Sequence, residues 1–74
     1  MQLENRHEEA IAAFEEVAKR FPESEVEAQA RYQIGLSLAA LREWDGAMAA
    51  LVASLENHPD PWRVQAEITR VRRH

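Results

Sequence analysis

Residues 28–59 read AQARYQIGLSLAALREWDGAMAALVASLENHP, and this stretch decides the fold. Its apolar residues recur every three or four positions, which is the spacing of one face of an α-helix. The pattern is interrupted around Arg42–Trp44 and ends at Pro59. The spacing therefore predicts two helices joined by a short turn.

The same pattern occurs a second time, 37 residues upstream. The matched pairs are Ala10 and Ala47, Phe14 and Leu51, and Pro22 and Pro59. Self-similarity at a fixed period is the signature of repeat proteins, in which stacked helices bury a continuous core. We therefore expect a packing unit that presents a surface to a partner.

Four helices are predicted in all, over about residues 5–20, 25–41, 45–56 and 61–72. No segment alternates apolar and polar residues between turn residues, so no strand is expected. The predicted fold class is all-α, with antiparallel helical hairpins.

Helix starts and stops support these boundaries. Asn5 with Glu8, and Ser24 with Glu27, have the form of capping boxes; in these, a polar side chain and a Glu three residues later bind free N–H groups at a helix start. Asp60 before proline is a favoured start, because proline lacks the N–H that would go unpaired there.

Gly35 lies in the middle of the second predicted helix, where glycine costs about 1 kcal/mol relative to alanine. A close crossing between two helices would offset that cost. We therefore predict that Gly35 and Ala47 lie at the same crossing.

Length and composition limit the other possibilities. Seventy-four residues make one domain, and a chain of this size buries only about 60% of its unfolded surface. The absence of cysteine excludes disulfides and thiolate zinc sites and leaves the redox compartment open. No apolar run reaches the ~18 residues that cross a bilayer, so membrane insertion is not expected. Residues 1–6 are polar rather than a signal peptide; the expected location is cytoplasmic, or periplasmic if the chain is part of a longer exported protein.

The net charge of −4 is unevenly distributed. Residues 1–27 carry a net charge of −5, and residues 61–74 carry +3. This asymmetry suits head-to-tail contact or a salt-sensitive partner, although two solvated helix faces remain an alternative. A nucleic-acid partner is not expected, because the pI is about 5.3.

No residue set specifies a reaction or a cofactor. His7, His58 and His74 are dispersed and lack a second ligand at metal-binding spacing. The adjacent carboxylates Glu8–Glu9 and Glu15–Glu16 suit a solvated helix face better than acid–base catalysis. Phosphate-binding loops and catalytic triads are missing as well, so the chain is predicted not to be an enzyme.

Residues 28–59 resemble one complete tetratricopeptide repeat (TPR). The positions that carry the resemblance are Ile34–Gly35, Leu38, Ala47, Leu51, Ser54 and Pro59, with Trp44 in the turn. The segments RFPES and RYQIGLSL are similar to those of bacterial TPR proteins of the periplasm and of outer-membrane assembly. Two departures stand out: Arg31 replaces a frequent Trp, and Arg42 replaces a turn glycine, so that turn is expected to take another conformation.

The resemblance implies one TPR-like domain over residues 1–74. Residues 5–22 would be the second helix of a partial repeat, residues 25–59 a full repeat, and residues 60–74 a capping helix. The domain would belong to an α-α superhelix and act in protein–protein interaction as a scaffold or adaptor.

In this family the first helix of each repeat lines a concave groove that binds peptides or helices. The matching positions are Gln29, Tyr32, Gln33, Leu36, Ala39 and Ala40. This set lacks the Lys/Arg clamp that grips C-terminal carboxylates, so an apolar helix or an extended segment is the expected partner. The alternative is that the first or fourth helix covers these residues in a compact bundle.

The first helix lacks the sequence-adjacent partner that the family's packing would give it. Its stripe of Ile11, Phe14 and Val17 would then be partly uncovered, which marks an interface. A homodimer is the second functional hypothesis, in which the basic fourth helix of one copy meets the acidic first helix of another. Coverage of the stripe within one chain is the alternative.

Overall fold

The computed structural model describes the backbone of residues 3–73 and the side chains of residues 6–73. The chain forms four helices: α1 (Leu3–Arg20), α2 (Glu25–Ala40), α3 (Trp44–Ser54) and α4 (Pro61–Arg72). Residues 3–73 contain no strand. The predicted all-α fold of helical hairpins is therefore confirmed.

The helices pack in chain order. α1 packs on α2, α2 on α3, and α3 on α4, while α2 also touches α4 over a smaller area. Among the described helices, α1 contacts only α2. The result is a flat stack of 34 × 30 × 16 Å in which α2 and α3 are central and α1 is a side layer.

One cluster of the core lies between α3 and α4, with the buried members Ala47, Leu51, Val64, Ile68 and Val71. Ala18 of α1 and Ala28, Ala30 and Ile34 of α2 are buried as well. Within the cluster between α3 and α4, Leu51 and Val64 expose no surface.

Ser54 is buried in the same region, and its hydroxyl donates a hydrogen bond to the Leu51 carbonyl at 2.8 Å. This bond satisfies a polar group that would otherwise be costly to bury. A small hydroxyl residue therefore fits where a larger side chain would separate the helices.

The predicted close crossing at Gly35 and Ala47 is confirmed. A Cβ atom built on Gly35 would lie 2.7 Å from Cγ of Leu51 and 3.3 Å from the Ala47 carbonyl oxygen. Only a residue without Cβ lets the α2 backbone approach α3 this closely. The crossing thus accounts for a glycine in mid-helix.

The turn between α2 and α3 differs from expectation. The prediction that Arg42 would give this turn another conformation is wrong, because Arg42 has φ of 63°, the left-handed conformation that favours glycine. Its N–H donates to the Ala39 carbonyl at 3.0 Å, and the Glu43 N–H donates to the Leu38 carbonyl at 2.9 Å. These two bonds form a Schellman motif, which holds Arg42 in this conformation.

Two helix boundaries also differ from the prediction. α1 begins at Leu3, so Asn5 lies within the helix and is not its cap; Leu and Glu are good helix formers, and nothing breaks the helix before Asn5. α3 begins at Trp44 and ends at Ser54, because the Leu55 N–H bonds to the Val52 carbonyl at 3.1 Å and tightens the last turn.

The other two starts agree with the sequence. The Glu27 N–H donates to Ser24 Oγ at 3.1 Å, as the capping box requires, although the Glu27 carboxylate accepts from the Glu23 N–H rather than from Ser24. α4 begins at Pro61 as predicted. The Asp60 carboxylate lies 3.8 Å from Arg63 Nε instead of capping the helix.

No helix in the described part of the chain is long and apolar enough to cross a bilayer.

A pair of glycine substitutions tests the crossing. We expect Gly35→Ala to destabilise the fold by about 1–2 kcal/mol, because overpacking Leu51 outweighs the gain in helix propensity. Gly46→Ala is the matched control: it is exposed, and its new Cβ would meet only the end of the flexible Leu38 side chain at 3.3 Å. Urea denaturation should therefore show an unchanged or higher midpoint for Gly46→Ala; equal midpoints for the two variants would contradict a tight crossing.

A second substitution tests the turn. Arg42→Gly should stabilise the protein by about 0.5–1 kcal/mol, because glycine adopts positive φ without a clash and this gain exceeds its larger entropy when unfolded. Arg42→Ala keeps the steric clash and should give no such gain. Thermal unfolding followed by circular dichroism measures both, and a lower midpoint for Arg42→Gly would show that the turn is not left-handed.

Candidate functional site

A groove of about 510 Å³ crosses the N-terminal half of α2. It extends from α1 on one side to the α3–α4 turn on the other. Its lining residues are Phe14, Val17, Val26, Gln29, Ala30, Tyr32, Gln33, His58, Pro59, Asp60 and Arg63.

The two ends of the groove differ in chemistry. Phe14 and Val17 of α1 are half-buried, and Val26 of α2 is 44% exposed, so the α1 end offers apolar surface. Gln29 and Gln33 are exposed on the same side of α2. Each amide both donates and accepts hydrogen bonds, so the groove can bind an apolar side chain and a polar backbone together.

The far wall is built on a ring contact. Tyr32 and His58 meet edge to face, with 5.1 Å between their ring centroids. His58 Nδ1 accepts a hydrogen bond from the Asp60 N–H at 2.9 Å, which fixes the turn before α4. These two contacts keep Tyr32 half-buried at the groove edge.

The charges at this wall are partly balanced. Arg63 lies at the groove edge, and its Nε is 3.8 Å from the Asp60 carboxylate. Both side chains are well exposed, so solvent screens their interaction and it contributes little stability.

The structure places the predicted partner-binding residues in two groups. Gln29, Tyr32 and Gln33 line the groove. Leu36, Ala39 and Ala40 lie further along α2, outside this groove.

Each residue of the second group has a different environment. Ala39 packs against the α3–α4 core, Leu36 is half-buried, and Ala40 is exposed. Tyr32 of the first group packs against the same core, so the core covers part of each half of the predicted surface.

The predicted self-association residues share part of this groove. Ile11, Phe14 and Val17 are all half-buried, and Phe14 and Val17 line the groove. The two surfaces predicted separately from the sequence thus meet along the α1–α2 interface.

Sequence reasoning missed six lining residues, which are Val26, Ala30, His58, Pro59, Asp60 and Arg63. The last four lie in or next to the α3–α4 turn, where helical periodicity gives no signal. The matched prolines of the two repeats locate that turn in the sequence. Its position in space, across from Tyr32, depends on how α4 packs.

Among residues 6–73, no group of three or more His, Cys, Asp or Glu is arranged to hold a metal ion. His74, considered above as a ligand, lies outside the described residues.

Glu27 fixes the α1–α2 turn beside Val26. Its carboxylate accepts the Glu23 N–H at 2.8 Å and pairs with Arg31, which lies 3.1 Å away. The hydrogen bond from the Glu23 backbone, followed by the contact with Arg31, lowers the pKa of Glu27 from its ordinary value of 4.5. The Arg31 side chain, which occupies the position where the resemblance expected Trp, is thus used in an ion pair.

A family model described as tetratricopeptide repeat matches residues 1–24 and 29–61, which is most of the chain. The chain belongs to the tetratricopeptide repeat family. The first matched segment contains α1, and the second contains most of α2 and all of α3. TPR repeats generally mediate protein–protein interaction, and the family is one of non-catalytic scaffolds. No curated protein and no solved structure shows significant similarity to this chain.

The contacts of Glu27 predict a pH dependence. Because its folded pKa is lowered, its contribution to stability is complete above the unfolded pKa of about 4.5 and is lost as the pH falls through the lower folded pKa. Glu27→Gln should therefore lower the melting temperature at neutral pH, and the difference from the wild type should shrink by about pH 3. Glu25→Gln is the matched control, because it removes a charge from the same helical turn but leaves the contacts of Glu27 with the Glu23 N–H and Arg31 in place. If both variants behave alike, helix-end charge rather than the Glu27 contacts is responsible.

Proposed function

We propose that this TPR domain is a scaffold or adaptor module that binds a peptide or helix through the groove across α2. The observation that supports the proposal most directly is the composition of that groove. It combines apolar surface from two helices with exposed amides of Gln29 and Gln33. Binding sites typically join a mainly apolar surface with a few polar groups that orient the ligand.

The expected partner is an apolar helix or an extended segment. An acidic C-terminal tail would need a cluster of Lys or Arg, whereas within the described residues the groove lining contains one basic side chain, Arg63. That side chain faces Asp60 at 3.8 Å. Apolar contact at the α1 end and amide hydrogen bonds at the middle therefore account for most of the proposed affinity.

Tyr32 is the proposed anchor of the site. Its ring is fixed against His58 at 5.1 Å, so little side-chain entropy is lost when a partner binds. Aromatic residues in such positions are enriched among those that dominate binding energy.

The repeat division fits the same function. In this proposal α1 is the second helix of a partial repeat, α2 and α3 form the full repeat, and α4 is a capping helix. The groove then lies on the concave face, where the first helices of successive repeats are presented. Leu36, Ala39 and Ala40 extend the proposed surface towards the α2 C-terminus, with Ala39 partly covered by the core.

A second candidate function is self-assembly as a homodimer through α1. The observation that favours it is a difference between matched positions: Leu51 is fully buried, whereas its repeat equivalent Phe14 is only half-buried. An incompletely covered aromatic residue in a helix stripe is typical of an interface.

The groove proposal is tested with a phage-displayed library of random peptides of about 12 residues, long enough for three helical turns. A selected peptide is titrated against the ¹⁵N-labelled protein, and the shifted amides are mapped. We expect shifts at Gln29, Tyr32 and Gln33. Tyr32→Ala should weaken binding by about tenfold or more while circular dichroism remains helical.

Val52→Ser is the matched control, because Val52 is 51% exposed on α3 and does not line the groove. It should bind the peptide like the wild type. Shifts confined to the basic segment of α4, or equal affinities for Tyr32→Ala and the control, would contradict the proposal.

A further inference from the structure

Four residues of α1 and its C-terminal end form a continuous stripe, which we call the α1 stripe: Ala10, Phe14, Val17 and Phe21. Their spacing of four, three and four residues places them on one side of a helix, as in the seam of a coiled coil.

The second repeat contains the same stripe in a fully packed form. The equivalents of the α1 stripe, 37 residues later, are Ala47, Leu51, Ser54 and His58. The first three expose no surface, because α3 lies between α2 and α4.

The α1 stripe is much less covered. Ala10, Phe14 and Val17 are only half-buried, and Phe21 is 52% exposed. The cause is visible in the packing order, since α1 contacts only α2 among the described helices. Val26 of α2, 44% exposed, extends the same apolar surface.

We propose that the α1 stripe packs against the α1 stripe of a second copy of this chain, in an antiparallel arrangement about a two-fold axis. This inference rests on the second candidate function above, self-assembly through α1, and assigns its geometry.

Side-chain sizes along the stripe support this register. A two-fold axis midway between Phe14 and Val17 places Phe14 of one copy opposite Val17 of the other. The same axis places Ala10 opposite Phe21. In each of these pairs, an aromatic side chain of one copy packs against a smaller side chain of the other, which fills the interface without overpacking it.

Charge complementarity also favours the antiparallel arrangement. At 100° per residue, Glu9 and Arg20 lie on the same edge of the stripe, with Glu9 in the N-terminal half of α1 and Arg20 at its C-terminal end. Antiparallel pairing brings Glu9 of each copy close to Arg20 of the other, and the symmetry makes two such contacts. Both side chains are exposed, and no ion pair between described residues includes either of them.

Contact between α4 of one copy and α1 of another fits the structure less well. The position in α4 that is equivalent to Gly35 is Arg72, 37 residues later. The α2–α3 crossing needs a residue without Cβ at that position, because Leu51 lies 2.7 Å from where the Cβ would be. A helix with Arg72 there cannot approach the α1 stripe as α2 approaches α3.

The test is sedimentation of the full chain over a dilution series at low and moderate salt. A stripe of four residues makes a small interface, so we expect a reversible dimer, twice the 8.5 kDa chain mass, that dissociates in about the micromolar range. Val17→Ser, which copies the tolerated Ser54, should weaken the dimer by about tenfold while the helical spectrum is kept. Val52→Ser is the control and should not change the mass.

Charge exchange tests the geometry. Glu9→Arg alone and Arg20→Glu alone should each weaken the dimer, by about tenfold at low salt, because two like-charge contacts replace two attractive ones. The double variant Glu9→Arg with Arg20→Glu should recover most of the affinity, although Arg20→Glu opposes the helix dipole in the last turn of α1. Arg70→Glu with Arg73→Glu should leave the dimer unchanged.

The possible outcomes separate the two claims. A monomer at all concentrations overturns self-association and the register together. If Val17→Ser weakens the dimer but the double charge variant does not restore its affinity, only the antiparallel register is overturned. A dimer that depends on Arg70 and Arg73 instead supports contact between α4 and α1, and overturns the proposal.

Discussion

The close approach of α2 and α3 at Gly35 is the contact on which the positions of the other helices depend. With no Cβ at Gly35, Leu51 packs directly against the α2 backbone. The buried Leu51 and Ser54 then leave a surface on which Val64 and the rest of α4 can pack. A larger residue at Gly35 would separate α2 from α3 and so displace α4 and the turn that forms the far wall of the groove.

The groove and the α1 stripe are two consequences of the same stacking order. Helices α2 and α3 each pack against a neighbour on two sides, whereas α1 has one neighbour among the described helices. Phe14 and Val17 therefore line the groove and also belong to the α1 stripe. Binding of a partner in the groove and pairing of two α1 helices would compete for these side chains, which connects the two proposed functions.

Local signals in the sequence predicted the helices well and their ends less well. The Ser24–Glu27 pair and Pro61 were reliable because proline and capping residues act on the backbone itself. Arg42 was misjudged, since glycine is the residue preferred at positive φ, but the hydrogen bonds of a Schellman motif keep that conformation with arginine. Asn5 was misjudged as a cap because a capping sequence also occurs inside a helix that starts earlier.

The sequence by itself determined the repeat, the four helices and the glycine at the crossing, because helical periodicity and side-chain size can be read from the residues themselves. It also indicated the α2 side of the candidate groove, since Gln29, Tyr32 and Gln33 share one side of that helix. Only the tertiary structure brought Phe14 and Val17 to one side of that groove and His58 and Arg63 to the other. Those residues lie up to 49 positions apart, and their proximity depends on crossing geometry that no local pattern encodes.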